Sequence, residues 1–163
     1  MTAVMHAFIK GHDVVVQILV DAGADKSYLI GPEFVKAAKS GDVVRVRDLL
    51  GSGVEIDSKN NSGSTALIAA SQNGHESCVQ ALLDGGADKE AKNNDGSTAL
   101  MYASQSGHKS CVRALIAAGT DRDAKDNDGS TALMEASNNG HESCVQALLD
   151  GGADKEAKDD AGM

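Results

Sequence analysis

Three histidine and cysteine pairs stand three residues apart in this chain, His75 with Cys78, His108 with Cys111 and His141 with Cys144. Near a helix start, that spacing suits a pair of metal ligands or a thiol beside its base. The pairs recur every 33 residues, however. A catalytic site needs one constellation, whereas a residue type repeated once per unit points to a structural role. Val15 fills the cysteine slot in an earlier unit, which marks the cysteines as small core residues. Disulfides among them are not expected, because stacked helices lie about 8–10 Å apart and a bridge needs Cα atoms within about 7 Å.

Two other groups carry possible chemistry. Asp121, Asp123, Asp126 and Asp128 alternate like the ligands of a calcium loop. An EF-hand needs Gly at the sixth position and Glu at the twelfth. Counted from Asp121, those places hold Asp126 and Ala132, so a solvated acidic hairpin is expected instead. Gly85-Gly86-Ala87 and Gly151-Gly152-Ala153 are glycine-rich, but they follow helical patterns rather than open them. That is the wrong polarity for cradling a phosphate, and they read as helix terminators. No catalytic residue, cofactor or metal site is assigned.

The elements that carry these residues form a repeat array. Gly63, Gly96, Gly129 and Gly162 lie 33 residues apart, and Gly-Ser-Thr-Ala-Leu, Ala-Ser, Gly-His and Ser-Cys-Val recur in register after the first three. Such a unit cannot bury its apolar face alone and must stack on its neighbours. Five units are expected at about 2–29, 30–59, 60–92, 93–125 and 126–158, with 159–163 opening a further one, all within one domain spanning 1–163. Thr65, Thr98 and Thr131 stand where a hydroxyl caps a helix start, and Gly74, Gly107 and Gly140 end a short first helix. Cys78, Val79, Leu82 and Leu83 form the apolar stripe of a second helix. Asn-Ser-Gly at 61–63 and Asn-Asp-Gly at 94–96 are turn chemistry. No segment reads as a strand, so the fold class is an all-α solenoid.

The pattern resembles the ankyrin repeat over almost the whole chain. Its marks are Asp126-x-x-Gly129-x-Thr131-x-Leu133, a short helix, Gly-His, a second helix with Val and paired Leu, and Gly-Ala-Asp. The family's Thr-Pro-Leu-His becomes Thr65-Ala66-Leu67-Ile68, Thr98-Ala99-Leu100-Met101 and Thr131-Ala132-Leu133-Met134. The Asn that often follows Gly-Ala-Asp-x is Glu90, Asp123 and Glu156. The resemblance implies stacked helix-turn-helix units joined by hairpins, with the first helices and hairpin tips lining a concave face that binds proteins.

Net charge is −9, with 7 Lys/Arg against 8 Asp/Glu in residues 1–62 and 8 against 16 in 63–163. Phosphate binding needs a basic face, so nucleic acid is not an expected partner. Lys10, His12 and Asp13 interrupt the apolar stretches near the start, and neither a signal peptide nor a membrane span is read there. Cytosol or nucleus is the expected location.

Comparing units within the chain points to a surface. Residues 74–92 and 140–158 are identical, while the position five before each glycine of the Gly-His slot reads His6, Lys36, Ala69, Tyr102 and Glu135. A slot that changes freely is expected to be exposed. Carried over from the family, the binding face holds Asn61, Ser62, Ser64, Ala69, Gln72 and Asn73 from the third unit. The fourth adds Asn94, Asp95, Ser97, Tyr102, Gln105 and Ser106, and the fifth Asn127, Asp128, Ser130, Glu135, Asn138 and Asn139. This mildly acidic groove suits a protein partner with a basic surface. The function expected is a non-catalytic interaction module, an adaptor or inhibitor. The alternatives are a structural unit that assembles head to tail and an ankyrin piece of a larger protein.

The ends of the chain match each other. Asp160-Ala161-Gly162-Met163 followed by Thr2-Ala3-Val4-Met5 reads as one continuous repeat. The second unit resembles a cap, with Pro32 suited to a first helical turn and Arg45 in the cysteine slot. The link at 26–31 spans at most about 20 Å, too short for the first unit to reach the far end of its own array. Either a monomer with ordinary stacking or weak head-to-tail association between molecules is expected.

Overall fold

The computed structural model describes residues 3–23, 27–160 and 162. Among these the chain forms ten helices and no strand. They come as five pairs: α1 (Ala3–Ile9) with α2 (Asp13–Asp21), α3 (Ser27–Ser40) with α4 (Val43–Gly51), α5 (Ala66–Gln72) with α6 (Glu76–Asp84), α7 (Ala99–Gln105) with α8 (Lys109–Ala117), and α9 (Ala132–Asn138) with α10 (Glu142–Asp150). First helices pack side by side in the order α3, α5, α7, α9, and second helices in the order α4, α6, α8, α10. Thr2, Ala161 and Met163 of the end-to-end match lie outside the described residues, as do 24–26 of the link.

Each short first helix is set by its ends. Thr65, Thr98 and Thr131 adopt extended backbone, and their hydroxyls accept from the N–H of Ile68, Met101 and Met134. Seven residues are too few for a helix to persist alone, so burial supplies the rest. Ala66, Ala70, Ala99, Ala103, Ala132 and Ala136 are buried, and the first helices that carry them pack side by side, a close approach that small side chains allow. Leu67, Leu82, Leu100, Leu115 and Leu148 are fully buried in the core, each contributing about 1.5–3 kcal/mol by leaving water.

The histidines join one unit to the next. His75, His108 and His141 hold the N-cap positions of α6, α8 and α10, yet make no side-chain cap bond. Their rings reach back instead, with Nε2 bonded to the carbonyls of Lys39 at 3.0 Å, Gln72 at 3.1 Å and Gln105 at 2.9 Å. A carbonyl can only accept, so Nε2 carries the proton. Each ring also lies on the preceding glycine, Gly41, Gly74 or Gly107, where a Cβ would meet Nδ1 at 2.6 or 2.7 Å. These glycines have φ of +77°, +74° and +77°, a left-handed backbone that side chains disfavour.

The hairpins are tied by a second ladder at the same period. Lys59, Lys92 and Lys125 donate from Nζ to the carbonyls of Lys92, Lys125 and Lys158 at 2.8, 2.7 and 2.6 Å. The carboxylates of Asp57, Glu90 and Asp123 accept the N–H of Asp88, Asp121 and Asp154. Asp121 Oδ1 also accepts from the N–H of Asp123, and Asp126 Oδ1 from those of Asp128 and Ser130. Much of the acidic hairpin is therefore bound to backbone, where the spacing alone suggests only a solvated loop.

The second pair departs from the others. α3 has 14 residues and begins at Ser27, so Pro32 lies inside the helix and not in its first turn. Proline disfavours helical geometry in the residue before it by clashing with that residue's Cβ, and Gly31 has none. Arg45, in the cysteine slot, is 45 % exposed and donates from Nε to Glu33 Oε1 at 2.9 Å. Glu33 holds the guanidinium pKa above its ordinary value, chiefly through that bond. α1 lies against α3, whereas α2 has no packing on α4 comparable to that of α4 on α6.

Candidate protein-binding surface

Between α7, α9 and the hairpins before them lies a pocket of about 180 Å³, lined by Asp95, Ser97, Met101, Tyr102, Gln105, Asp126 and Glu135. Tyr102 is half-buried, and its hydroxyl accepts from Nδ2 of the buried Asn93 at 3.0 Å. The same amide nitrogen donates to Asp95 at 3.3 Å, while Asn93 Oδ1 accepts the N–H of Asp95 and Ser97. One buried amide thus fixes both the ring and the turn beside it. Across the pocket, Gln105 Nε2 donates to Glu135 Oε2 at 3.0 Å. Three carboxylates line the space and no Lys or Arg does, which gives it a negative potential suited to a cation.

The family model described as ankyrin repeats (3 copies) matches residues 34–126 and 86–159. The chain belongs to the ankyrin repeat family. No curated protein matches it. The match begins at Phe34, so α1 and α2 lie outside it. Ankyrin repeats are generally protein–protein interaction modules and typically non-catalytic.

The ankyrin array brings five of the residues expected on the binding face into one pocket: Asp95, Ser97, Tyr102, Gln105 and Glu135. Met101 and Asp126 join them and escape the sequence comparison for different reasons. Met101 sits in a framework slot and is 2 % exposed, and Asp126 belongs to the turn motif that defines the unit. The spacing of an acidic residue one unit beyond Asn93 was the available signal.

Other expected face residues serve the array itself. Asn94 and Asn127 are exposed, but their amide groups donate to the carbonyls of Asn61 and Asn94 at 3.3 and 3.1 Å. The carbonyls of Ser62, Asp95 and Asp128 accept the N–H of Asn94, Asn127 and Asp160. Ser62 Oγ donates to Asn60 Oδ1, which also accepts from the N–H of Ser64. Asn73 and Asn139 are exposed and close their own helices by donating to Ala69 and Glu135 carbonyls, both at 2.8 Å. Gln72 and Asn138 are exposed, and Ser106 and Ser130 are half-buried.

Ala69 is a correction. It is 5 % exposed and part of the core, although the slot it shares with Tyr102 and Glu135 varies from unit to unit. The slot lies where neighbouring first helices meet. A methyl group stays below the rim, whereas Tyr102 and Glu135 are long enough to remain half-exposed. Variation there reports side-chain length as well as exposure.

The histidine and cysteine pairs are separated by the stack. Each ring is engaged by the preceding unit, while Cys78, Cys111 and Cys144 are at most 1 % exposed and unpaired. Burial pushes the thiol of Cys111 up to about 11 and raises those of Cys78 and Cys144, because a thiolate loses its hydration there. Among the described residues no group of three or more His, Cys, Asp or Glu is placed to hold a metal ion. Among them, no helix is long and apolar enough to cross a membrane.

Proposed function

We propose that this ankyrin array is an adaptor or inhibitor that binds a protein partner along its first helices and hairpin tips, with a cationic side chain of the partner entering the Tyr102 pocket. The observation that carries this reading is the combination of an aromatic wall with the carboxylates of Asp95, Asp126 and Glu135 around one cavity. A lysine or arginine gains twice there. Its aliphatic stem covers the ring, and its charged end meets carboxylates already oriented by Asn93 and Gln105. Tyrosine is also enriched among residues that dominate interface energies. We place the module in the cytosol or nucleus, a reading supported by three unpaired cysteines.

The test captures partners on the immobilised protein and on a Tyr102→Ala/Glu135→Ala variant, then measures affinity for a partner lost from the variant. Tyr102→Ala should weaken binding by more than about 1 kcal/mol with the helical signal intact. Glu135→Gln, which retains the shape, should weaken it less and flatten its salt dependence. Affinities unchanged in both variants would move the binding site away from this pocket.

A further inference from the structure

The second helices alternate in charge across the array. α6 and α10 both read Glu-Ser-Cys-Val-Gln-Ala-Leu-Leu-Asp, whereas α8 between them reads Lys-Ser-Cys-Val-Arg-Ala-Leu-Ile-Ala. The packing residues are kept, with Cys111, Val112 and Leu115 of α8 as fully buried as their counterparts. The charge changes fall on one exposed row at i, i+4 and i+8 of each helix. Glu76, Gln80 and Asp84 form this row on α6, and Lys109, Arg113 and Ala117 form it on α8. Arg47 holds its centre on α4, and Glu142 and Asp150 its ends on α10. In all, α4, α6, α8 and α10 carry charges of +1, −2, +2 and −2, with Arg45 and Arg47 counted against Asp48 on α4. The stack itself does not require this pattern, since the same buried slots serve beneath either sign.

Neighbouring rows do not pair within the chain. Among the described residues the one ion pair joins Arg45 to Glu33, so Lys109 and Arg113 form none with the carboxylates of α6 or α10. Gln80 and Gln146 donate from Nε2 to Oδ1 of Asp84 and Asp150, both at 2.7 Å, which holds these carboxylates at the surface. Between α6 and α8 lies an open groove of about 440 Å³. One wall is acidic, with Glu76 and Gln80, and the other basic, with Lys109 and Arg113. A half-turn about the length of the groove exchanges the two walls, so the surface is complementary to itself.

We propose that the outer face of the second helices binds a second copy of this chain, with a two-fold axis along the α6–α8 groove. That axis sets α6 of each copy on α8 of the other and α4 of each on α10 of the other. All four rows then meet a row of opposite sign. Lys109 of one copy lies opposite Glu76 of the other, and Arg113 reaches the Asp84 carboxylate already oriented by Gln80. An axis perpendicular to the helices would instead set α6 on α6 and α8 on α8, joining like charges. Each exposed pair contributes little alone, and the match of four rows at once fixes the register. The net charge of −9 on each copy opposes approach, but beyond about 8 Å it is screened at physiological salt, while rows in contact are not. The contact is isologous and closes at two copies. It leaves the first helices of both free, so the dimer presents two Tyr102 pockets.

Sedimentation of the 163-residue chain at physiological salt, up to about 1 mM where millimolar association becomes visible, tests this with two charge-swapped variants. Lys109→Glu/Arg113→Gln gives α8 the row of α6, and Glu76→Lys/Gln80→Arg gives α6 the row of α8. Each installs side chains that a neighbouring unit already carries in the same exposed slots, so the fold persists, as circular dichroism will verify. The unmodified protein should approach the mass of a dimer with concentration and go no further. Each variant alone sets like charges across the axis and should remain a monomer. An equal mixture restores opposite signs in every row and should dimerise as the unmodified chain does. A strict monomer at every concentration, which would leave the rows to an acidic partner or to stacking within the chain, would overturn the proposal. So would a variant that dimerises alone as well as the unmodified chain, or a mixture that stays monomeric.

Discussion

Replacing Gly74 with alanine probes the joint between units directly. The backbone at this residue has φ +74°, and a Cβ there would lie 2.6 Å from Nδ1 of His108. The left-handed backbone alone costs about 1–2 kcal/mol with a side chain present. In addition, the ring must retreat by about 1 Å to restore ordinary contact, which breaks the bond to the Gln72 carbonyl, formed at 3.1 Å. That loss adds about 0.5–1.5 kcal/mol, so Gly74→Ala should cost about 1.5–3.5 kcal/mol in all. In a His108→Ala background the ring is gone and the backbone term alone remains, about 1–2 kcal/mol. Urea denaturation of the four proteins of this cycle gives the coupling, provided that the slope of unfolding free energy against urea is the same in all four. If Gly74→Ala costs the same in both backgrounds within about 0.5 kcal/mol, the ring does not rest on this glycine in solution and the account of the joint fails.

The remaining predictions concern the thiols and the helix starts. Cys78, Cys111 and Cys144 should react slowly with a thiol reagent in the folded protein, and rapid native labelling of all three contradicts their burial. Because the Cys111 thiol is pushed up from 9.0 to about 11, the stability it contributes is fully present below about pH 9 and is lost as pH rises through about 11. Cys111→Ala should therefore flatten the alkaline decline in unfolding free energy, and unchanged slopes would count against the assignment. Thr98 is 2 % exposed and its hydroxyl accepts from the Met101 N–H at 3.4 Å. Thr98→Ala should lower stability by about 1 kcal/mol and Thr98→Ser should restore most of it, as read from urea midpoints.

The period of 33 residues, the threonines that start the first helices and the glycines that end them by themselves determined an all-α stacked array. Those features are legible because they are local. A cap acts over three residues, a terminating glycine acts on its own backbone, and an apolar stripe repeats within two turns. The buried cysteines were legible for a related reason, since a slot filled once per unit and exchangeable with Val15 has to be packing. What joins the units was not legible. Each histidine bond spans 36 residues, and nothing in a Gly-His dipeptide says which glycine its ring will cover. The Tyr102 pocket likewise draws its wall from positions 95 to 135, and a single variable slot is core at Ala69 but rim at Tyr102 and Glu135. Side-chain length and the approach of neighbouring helices decide that outcome, and both act only once the units are stacked. Local spacing thus determined what each unit is, while the tertiary contacts decided which of its polar groups bind the array and which remain to face a partner.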